Sequence, residues 1–372
     1  MRTQDIKIKK AAINPKKFLG IARNSLKKYK DSPRFSIVSP FNFMFDQINS
    51  LFMIVFEDDS LYYQIELQIF KINNVEYPLV ILYRKDGLKD LYYTDKKVLE
   101  DRENMVKDIL PNASLNQPDS IDFNMEVDDN GFKCEIFLKD KFEREIEIKI
   151  DEMVPDRELY SFLVPSSTKE LDYFPLVYLR QFGMIHRDLS EILIKIDNKE
   201  LLPVGAPFKL EGNVIYQSRF SLDPIMCNWN YNFEGYLEAI DVNMSDMSIF
   251  NNNLIYKLIK NNNYNEIKSI SASDNSNHIL LFEFSPPIPN FLSLKDKIKI
   301  KGKFSISIEG TGIIAGEYQI TTSGKKIVFK VDPSKAVHQI SKILWFETYK
   351  WIAELEVINE NTVKCISYWK RN

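Results

Sequence analysis

Glu126–Leu138 reads EVDDNGFKCEIFL. Two runs that alternate apolar and polar residues flank a cluster of turn formers. Asn130-Gly131 stands where a tight primed turn needs it, so the stretch predicts a β-hairpin. The same period of two continues on both sides. Upstream it is carried by LYYQIELQIFKI (Leu61–Ile72), EYPLVILY (Glu76–Tyr83) and SIDFNMEV (Ser120–Val127), and just downstream by EIEIKI (Glu145–Ile150). Later runs include EILIKI (Glu191–Ile196), NVIYQSRF (Asn213–Phe220), HILLFEF (His278–Phe284), KIKIKGKFSISIEG (Lys297–Gly310), WIAELEVI (Trp351–Ile358) and VKCISYW (Val363–Trp369). Such β-branched and aromatic runs, separated by turn residues, are strands.

Helical patterns are few. TDKKVLEDRENMVKDILP (Thr94–Pro111) has a capping residue at Thr94 or Asp95, an apolar stripe of Val98, Met105, Val106 and Ile109, and Pro111 as its stop. Weaker helical patterns cover Ser245–Lys260 and Asp332–Leu344. Asn14–Lys30 (NPKKFLGIARNSLKKYK) reads as a basic amphipathic helix with Phe18, Ala22, Leu26 and Tyr29 on one face. Residues 1–30 hold ten Lys or Arg against one Asp, although the whole chain carries a net charge of −3. The arm would therefore dock on an acidic body, with weak contact to an anionic surface as the alternative.

Short, closely spaced strands with few crossover helices predict an all-β fold with minor α content. The expected architecture is two packed antiparallel β-barrel or β-sandwich modules, a tandem lipocalin-like pair being one form. Asp151–Pro175, with three prolines and a Ser-Ser-Thr cluster, marks the expected boundary. The organisation read from the sequence is a helical arm over 1–30, an N-terminal β module over 31–160 and a C-terminal β module over 161–372. The segments around Pro78 and Pro175 echo one another, each a proline followed by an apolar run that would open a strand.

At 372 residues, with 44% hydrophobic and 13% aromatic content, the chain is long and apolar enough to bury a sizeable core. Three isolated cysteines, Cys134, Cys227 and Cys365, give no disulfide framework and no zinc spacing. With no apolar run near the roughly 18 residues of a membrane span, the expected compartment is the cytoplasm.

Three motifs imitate chemistry. YLRQFGMIHRDL (Tyr178–Leu189) carries the His-Arg-Asp-Leu of a protein-kinase catalytic loop. Phosphoryl transfer needs an Asn five residues after the Asp, where Leu193 stands, and a later Asp-Phe-Gly and an earlier glycine-rich loop that are both missing. Kinase chemistry is excluded, and the motif reads as a loop leading into the strand at Ile192, Ile194 and Ile196. EGTGIIAGE (Glu309–Glu317) fits a dinucleotide fingerprint but is followed by a hairpin pattern, not a helix. Glu126, Asp128, Asn130 and Gly131 start like a calcium loop, but Phe137 stands where the closing Glu belongs. No metal site and no cofactor is expected.

SRFSLDPIMCNWNYNFEGYLEAID (Ser218–Asp241) interleaves aromatics with polar groups. Arg219, Asp223, Trp229, Tyr231 and Tyr236 are the expected ligand-binding residues, with Trp229 facing an accessible cavity. The leading functional expectation is a binding protein for a small apolar or amphipathic molecule. A metal-independent lyase, hydratase or isomerase with His186, Asp188 and Glu234 as acid and base is the second. A non-enzymatic interaction or assembly protein is the third. The acidic character of the aromatic stretch speaks against a nucleic-acid platform, so no specific nucleic acid is expected.

Overall fold

The computed structural model describes residues 28–29, 36–46, 48–100, 113–155, 157–164, 171–210, 212–242, 247–261, 264–273, 279–308, 311–336 and 349–371. Strands β1 (Phe43–Asp46), β2 (Ser50–Val55), β3 (Tyr62–Ile72), β4 (Val75–Arg84) and β5 (Lys89–Tyr93) lead through a helical turn, α1 (Lys97–Glu100), to β6 (Ala113–Asn116). Next come β7 (Ile121–Asp128), β8 (Gly131–Lys139), β9 (Glu145–Met153), β10 (Tyr160–Leu163), β11 (Phe174–His186), β12 (Ser190–Ile196), β13 (Lys199–Glu200), β14 (Gly205–Leu210) and β15 (Asn213–Trp229). The remainder runs from β16 (Phe233–Glu238), β17 (Ser248–Asn251), β18 (Leu254–Asn261), β19 (Tyr264–Ser273) and β20 (Ile279–Ile288) to β21 (Lys299–Ile308), β22 (Thr311–Ser323), β23 (Lys326–Ala336), β24 (Tyr349–Val357) and β25 (Thr362–Arg371). Strand is by far the commonest state among the described residues and helix is nearly absent from them, as the period of two requires.

The strands form three sheets. The first has the order β10-β11-β15-β2-β3-β4-β5-β6, with β1 and β14 also on β15. The second is β13-β12-β9-β8-β7. The third is a meander, β16-β25-β24-β23-β22-β21-β20-β19-β18-β17, whose end strands β16 and β17 are not paired with each other among the described residues. One core lies between the first two sheets: Phe52, Ile65 and Phe220 meet Phe132, Ile136 and Ile148. A second covers the other face of the first sheet, around Leu51, Leu91 and Phe182. The third lines the inside of the third sheet, and Phe41, Phe174 and Trp229 project into it from outside that sheet.

Strand pairing does not follow the expected division at residue 160. β9 pairs with β12 and β2 pairs with β15, so both of the first two sheets draw strands from either side of it. The change from the first two sheets to the third falls between β15 and β16. Pro78 and Pro175 lie in β4 and β11 of the same sheet, not in equivalent strands of two modules.

The Ser245–Lys260 helix is replaced by the β17–β18 hairpin. Asn252 and Asn253 both have positive φ, 50° and 61°, the two-residue primed turn that joins tightly paired strands. Asn73-Asn74 and Asp197-Asn198 do the same between β3 and β4 and between β12 and β13. The Thr94–Pro111 helix is represented by α1, its remainder lying outside the described residues. Asp332–Ala336 belongs to β23 instead of a helix, and residues 337–344 lie outside the described set. Of the basic arm only Lys28 and Tyr29 are described. Tyr29 is buried and stacks on Tyr264 at 4.1 Å, its hydroxyl donates to Glu266 at 2.6 Å, and Lys28 pairs with the same carboxylate at 2.8 Å. No described helix is long and apolar enough to cross a membrane.

The β7–β8 hairpin forms as expected, but its turn is Asp129-Asn130, one residue earlier than the Asn-Gly pair suggests, because Asp128 is already paired with Gly131. The Asp128 carboxylate accepts from Asn130 N at 2.8 Å and Gly131 N at 3.0 Å. Gly131, at φ 153°, is needed for a different reason: a Cβ there would lie 1.8 Å from the Glu152 carbonyl of β9. Gly131→Ala should therefore lower stability in denaturant unfolding by about 3 kcal/mol, the upper range of forced overpacking. Asn253→Gly, at a turn position that suits glycine, should leave it unchanged or higher.

Candidate functional site

A cleft lies where the two ends of the third sheet approach one another. It has a volume of about 570 Å³ and is lined by Ser39–Phe43, by Phe233 and Tyr236–Ile240 of β16 and the residues just after it, and by Asn251, Asn252, Leu254 and Tyr256 of the β17–β18 hairpin. β16 bonds to β25 on one side, where Ala239 N donates to Asn361 O at 2.7 Å. On its other side Ile240 and Ile37 exchange hydrogen bonds at 2.8 and 3.0 Å. Beyond that bridge residues 39–43 diverge from β16, and the cleft fills the gap.

The wall opposite β16 is held by the core. Phe41 packs on Trp351 at 5.4 Å and Phe329 at 5.6 Å, and Phe43 on Phe282 at 4.7 Å. Asn42 clamps the turn after β15: Asn42 N donates to Asn230 Oδ1 at 3.0 Å, Asn230 N to Asn42 O at 2.9 Å, and Tyr231 N to Asn42 Oδ1 at 2.7 Å. Burial raises the Tyr256 phenol above its ordinary pKa, against a hydrogen bond with Ser39 that lowers it, so the phenol is neutral at physiological pH. The cleft thus combines five aromatic rings with amide, hydroxyl and one carboxylate group, Glu238.

Of the residues expected to bind ligand, Tyr236 alone lines this cleft, 63% exposed on its rim. Trp229 does not face an accessible cavity. It is fully buried, in contact with Phe174, Phe282, Phe304 and Trp369 at centroid distances of 5.1–6.1 Å. Tyr231 is half-buried against Tyr173 at 4.8 Å and accepts from Asn228 Nδ2 at 2.9 Å. Asp223 pairs with Arg180 across the β11–β15 ladder at 3.1 Å. Arg219 lies farther along β15, on the first sheet, and Glu234 is exposed on β16. The segment is two successive strands, so its residues alternate between faces and cannot converge on one cavity.

His186 is the last residue of β11 instead of part of the expected loop, and Arg187 and Asp188 are exposed in the turn before β12. The partner of His186 is Glu152, not Asp188. Glu152 is buried at the end of β9, and its Oε1 receives His186 N at 2.6 Å and contacts Nδ1 at 2.8 Å. Arg157 bonds both Glu152 oxygens and the Met184 carbonyl while stacking on Phe220 at 4.9 Å. Every strong partner of this carboxylate is thereby engaged in tying β9 to β11. The cluster lies apart from the cleft and from Glu234, so the three expected acid–base residues are not brought together.

A second buried ionic group joins the first sheet to the β8–β9 turn. Asp90 accepts from Lys141 Nζ at 2.8 Å, Ser114 Oγ at 2.7 Å and Tyr62 OH at 2.9 Å. Arg144 bridges Asp140 at 2.9 Å and Asp59 at 3.3 Å and stacks over Tyr62 at 5.0 Å. Burial alone would push Asp90 up, but the hydrogen bonds from Lys141, Ser114 and Tyr62 outweigh it and hold the carboxyl below its ordinary 3.8. No group of three or more His, Cys, Asp or Glu among the described residues is placed to hold a metal ion. All three cysteines are buried and unbonded to one another; burial pushes the Cys365 thiol up to about 12. Compared with protein families, curated proteins and solved structures, the chain gives no match.

Two outcomes follow from these placements. Trp229→Ala should cost about 3–5 kcal/mol in denaturant unfolding, the range for truncating a core aromatic, while Tyr236→Ala stays within about 0.5 kcal/mol of wild type. A depressed carboxyl pKa contributes stability that is present above the unfolded value and is lost as pH falls through the folded one. Asp90→Asn should therefore destabilise the protein at pH 7, and urea titrations should show that difference shrinking as the pH drops below 3.8.

Proposed function

We propose that the chain binds a small apolar or amphipathic molecule in the cleft between β16 and the β17–β18 hairpin. The observation that carries this reading is the lining itself. A space of about 570 Å³ falls within the roughly 300–1,000 Å³ of small-molecule sites, and its lining mixes aromatic rings with the polar side chains of Ser39, Asn42, Glu238, Asn251 and Asn252, as an amphipathic ligand requires. The third sheet acts as a barrel-like cup, and the seam where it stays open is the mouth. Phe43, Phe233 and Tyr236 supply apolar contact, and Asn42, Asn251 and Glu238 orient a polar end.

A second reading rests on the free edge of β16. Among the described residues the main-chain bonds on its side away from β25 flank the strand, Asn232 N to Asp172 O before it and the Ile37–Ile240 bridge after it, which leaves main-chain groups between them for an added strand. An extended peptide laid there would make the chain an interaction protein.

Titration with Nile red, a neutral apolar fluorophore, separates the readings. Saturable binding by wild type, weakened several-fold in Tyr236→Ala and Phe43→Ala as loss of an aromatic contact implies, supports the small-molecule cleft. Binding unchanged in both variants contradicts it. Displacement of the probe by an extended peptide, but not by small apolar competitors, favours strand addition.

A further inference from the structure

Two strong hydrogen-bond donors on the first sheet point at a sulfur. Arg219 of β15 stands opposite Met53 of β2, which stands opposite Glu66 of β3. An Arg219 guanidinium nitrogen lies 3.7 Å from Met53 Sδ, and the Gln64 side-chain amide donates to the same sulfur at 2.7 Å. A thioether is a weak acceptor, poorly matched to a guanidinium. Among the described residues Arg219 makes no ion pair.

The nearby carboxylate is already occupied. Glu66 Oε2 receives the Tyr83 hydroxyl at 2.7 Å and Oε1 the Gln68 amide at 2.6 Å. Two cations share its field, since Lys89 lies over the Tyr83 ring at 5.3 Å and also feels Glu66. Burial pushes the pKa of Arg219 down, against the opposing pull of Glu66 and Tyr83, and burial likewise lowers Lys89. The patch therefore holds an excess of positive charge under partial desolvation. A half-buried guanidinium without a carboxylate partner destabilises the free protein unless something supplies the missing acceptor.

Solvent reaches this place. Gln64, Glu66, Gln68, Tyr83, Lys89 and Arg219 are half-buried, whereas the apolar neighbours Leu51, Ile81, Leu91 and Met184 are closed off. A planar oxyanion above Met53 would take the guanidinium fork and the Gln64 amide together.

We propose that Arg219 and Gln64 form a recognition site for the carboxylate of a small organic acid on the first sheet, separate from the cleft of the third. Glu66, held by Tyr83 and Gln68, sets one border of the site and disfavours doubly charged ligands.

Calorimetric titration with octanoate and with octanamide, which differ in charge and not in length, tests this. Wild type should bind octanoate and not octanamide. Arg219→Met should lose at least about tenfold in octanoate affinity, the scale of a charge-assisted hydrogen bond, while the melting midpoint of its free form stays level or rises. Gln64→Leu should weaken octanoate several-fold and remain folded. Equal binding of acid and amide, or wild-type octanoate affinity in Arg219→Met, overturns the proposal. So does an Arg219→Met variant that unfolds or melts lower and is rescued by Glu66→Gln, because Arg219 would then be the structural partner of Glu66. Tighter binding of octyl phosphate than of octanoate also overturns it, by assigning the site to a dianion.

Discussion

The antiparallel pair β11–β15 is shared by all three hydrophobic cores, and the architecture depends on it. Its ladder runs from Phe174 opposite Trp229 to His186 opposite Ile215. Near one end Phe174, Leu176, Ile225, Cys227 and Trp229 enter the interior of the third sheet. Farther along, Phe220 and Ile185 face the second sheet, while Leu179, Phe182 and Ile215 face the opposite side of the first. Each fully buried side chain of this size contributes about 1.5–3 kcal/mol of transfer free energy. A ribbon with such residues in three cores makes the packing of each conditional on the others.

The buried charges follow the same logic of joining sheets. Glu152 and Arg157 fix the end of β9 to the end of β11, and the Asp59–Asp90–Asp140 group with Lys141 and Arg144 fixes the first sheet to the β8–β9 turn. These carboxylates have donors on their oxygens, which is how charge is kept inside a protein. Arg219 stands out against that pattern, because among the described residues it makes no ion pair and its guanidinium is directed at the Met53 sulfur. The seam cleft lies where β16 and β17 are unpaired among the described residues, with residues 43–46 tied to β15 rather than to β16.

Many strands were legible because they bury one face. Phe132, Cys134, Ile136 and Leu138 alternate with exposed residues, and Ile146, Ile148 and Ile150 do the same in β9. Pairing across large separations, such as β2 with β15, leaves no local trace. The β17–β18 hairpin was hidden because Asn-Asn is a weaker turn signal than Asn-Gly, while its apolar residues also fit a helical period. Trp229 was read as ligand-facing from its polar tip, yet surrounding rings decide its place. Glu152 had no local signal, being 34 residues from His186. Tyr236, chosen as an aromatic with a polar tip, lies on the rim of the seam cleft.

Coupling of the three cores through β11 and β15 is tested most directly by native-state hydrogen exchange in rising denaturant. If the ribbon couples them, the amides of β2–β4 and of β21–β24 open with the same free energy, and Phe174→Ala lowers both by the same amount. Loss of protection confined to β21–β24 in that variant, with β2–β4 unchanged, would show that the third sheet folds independently of the ribbon and would contradict the account.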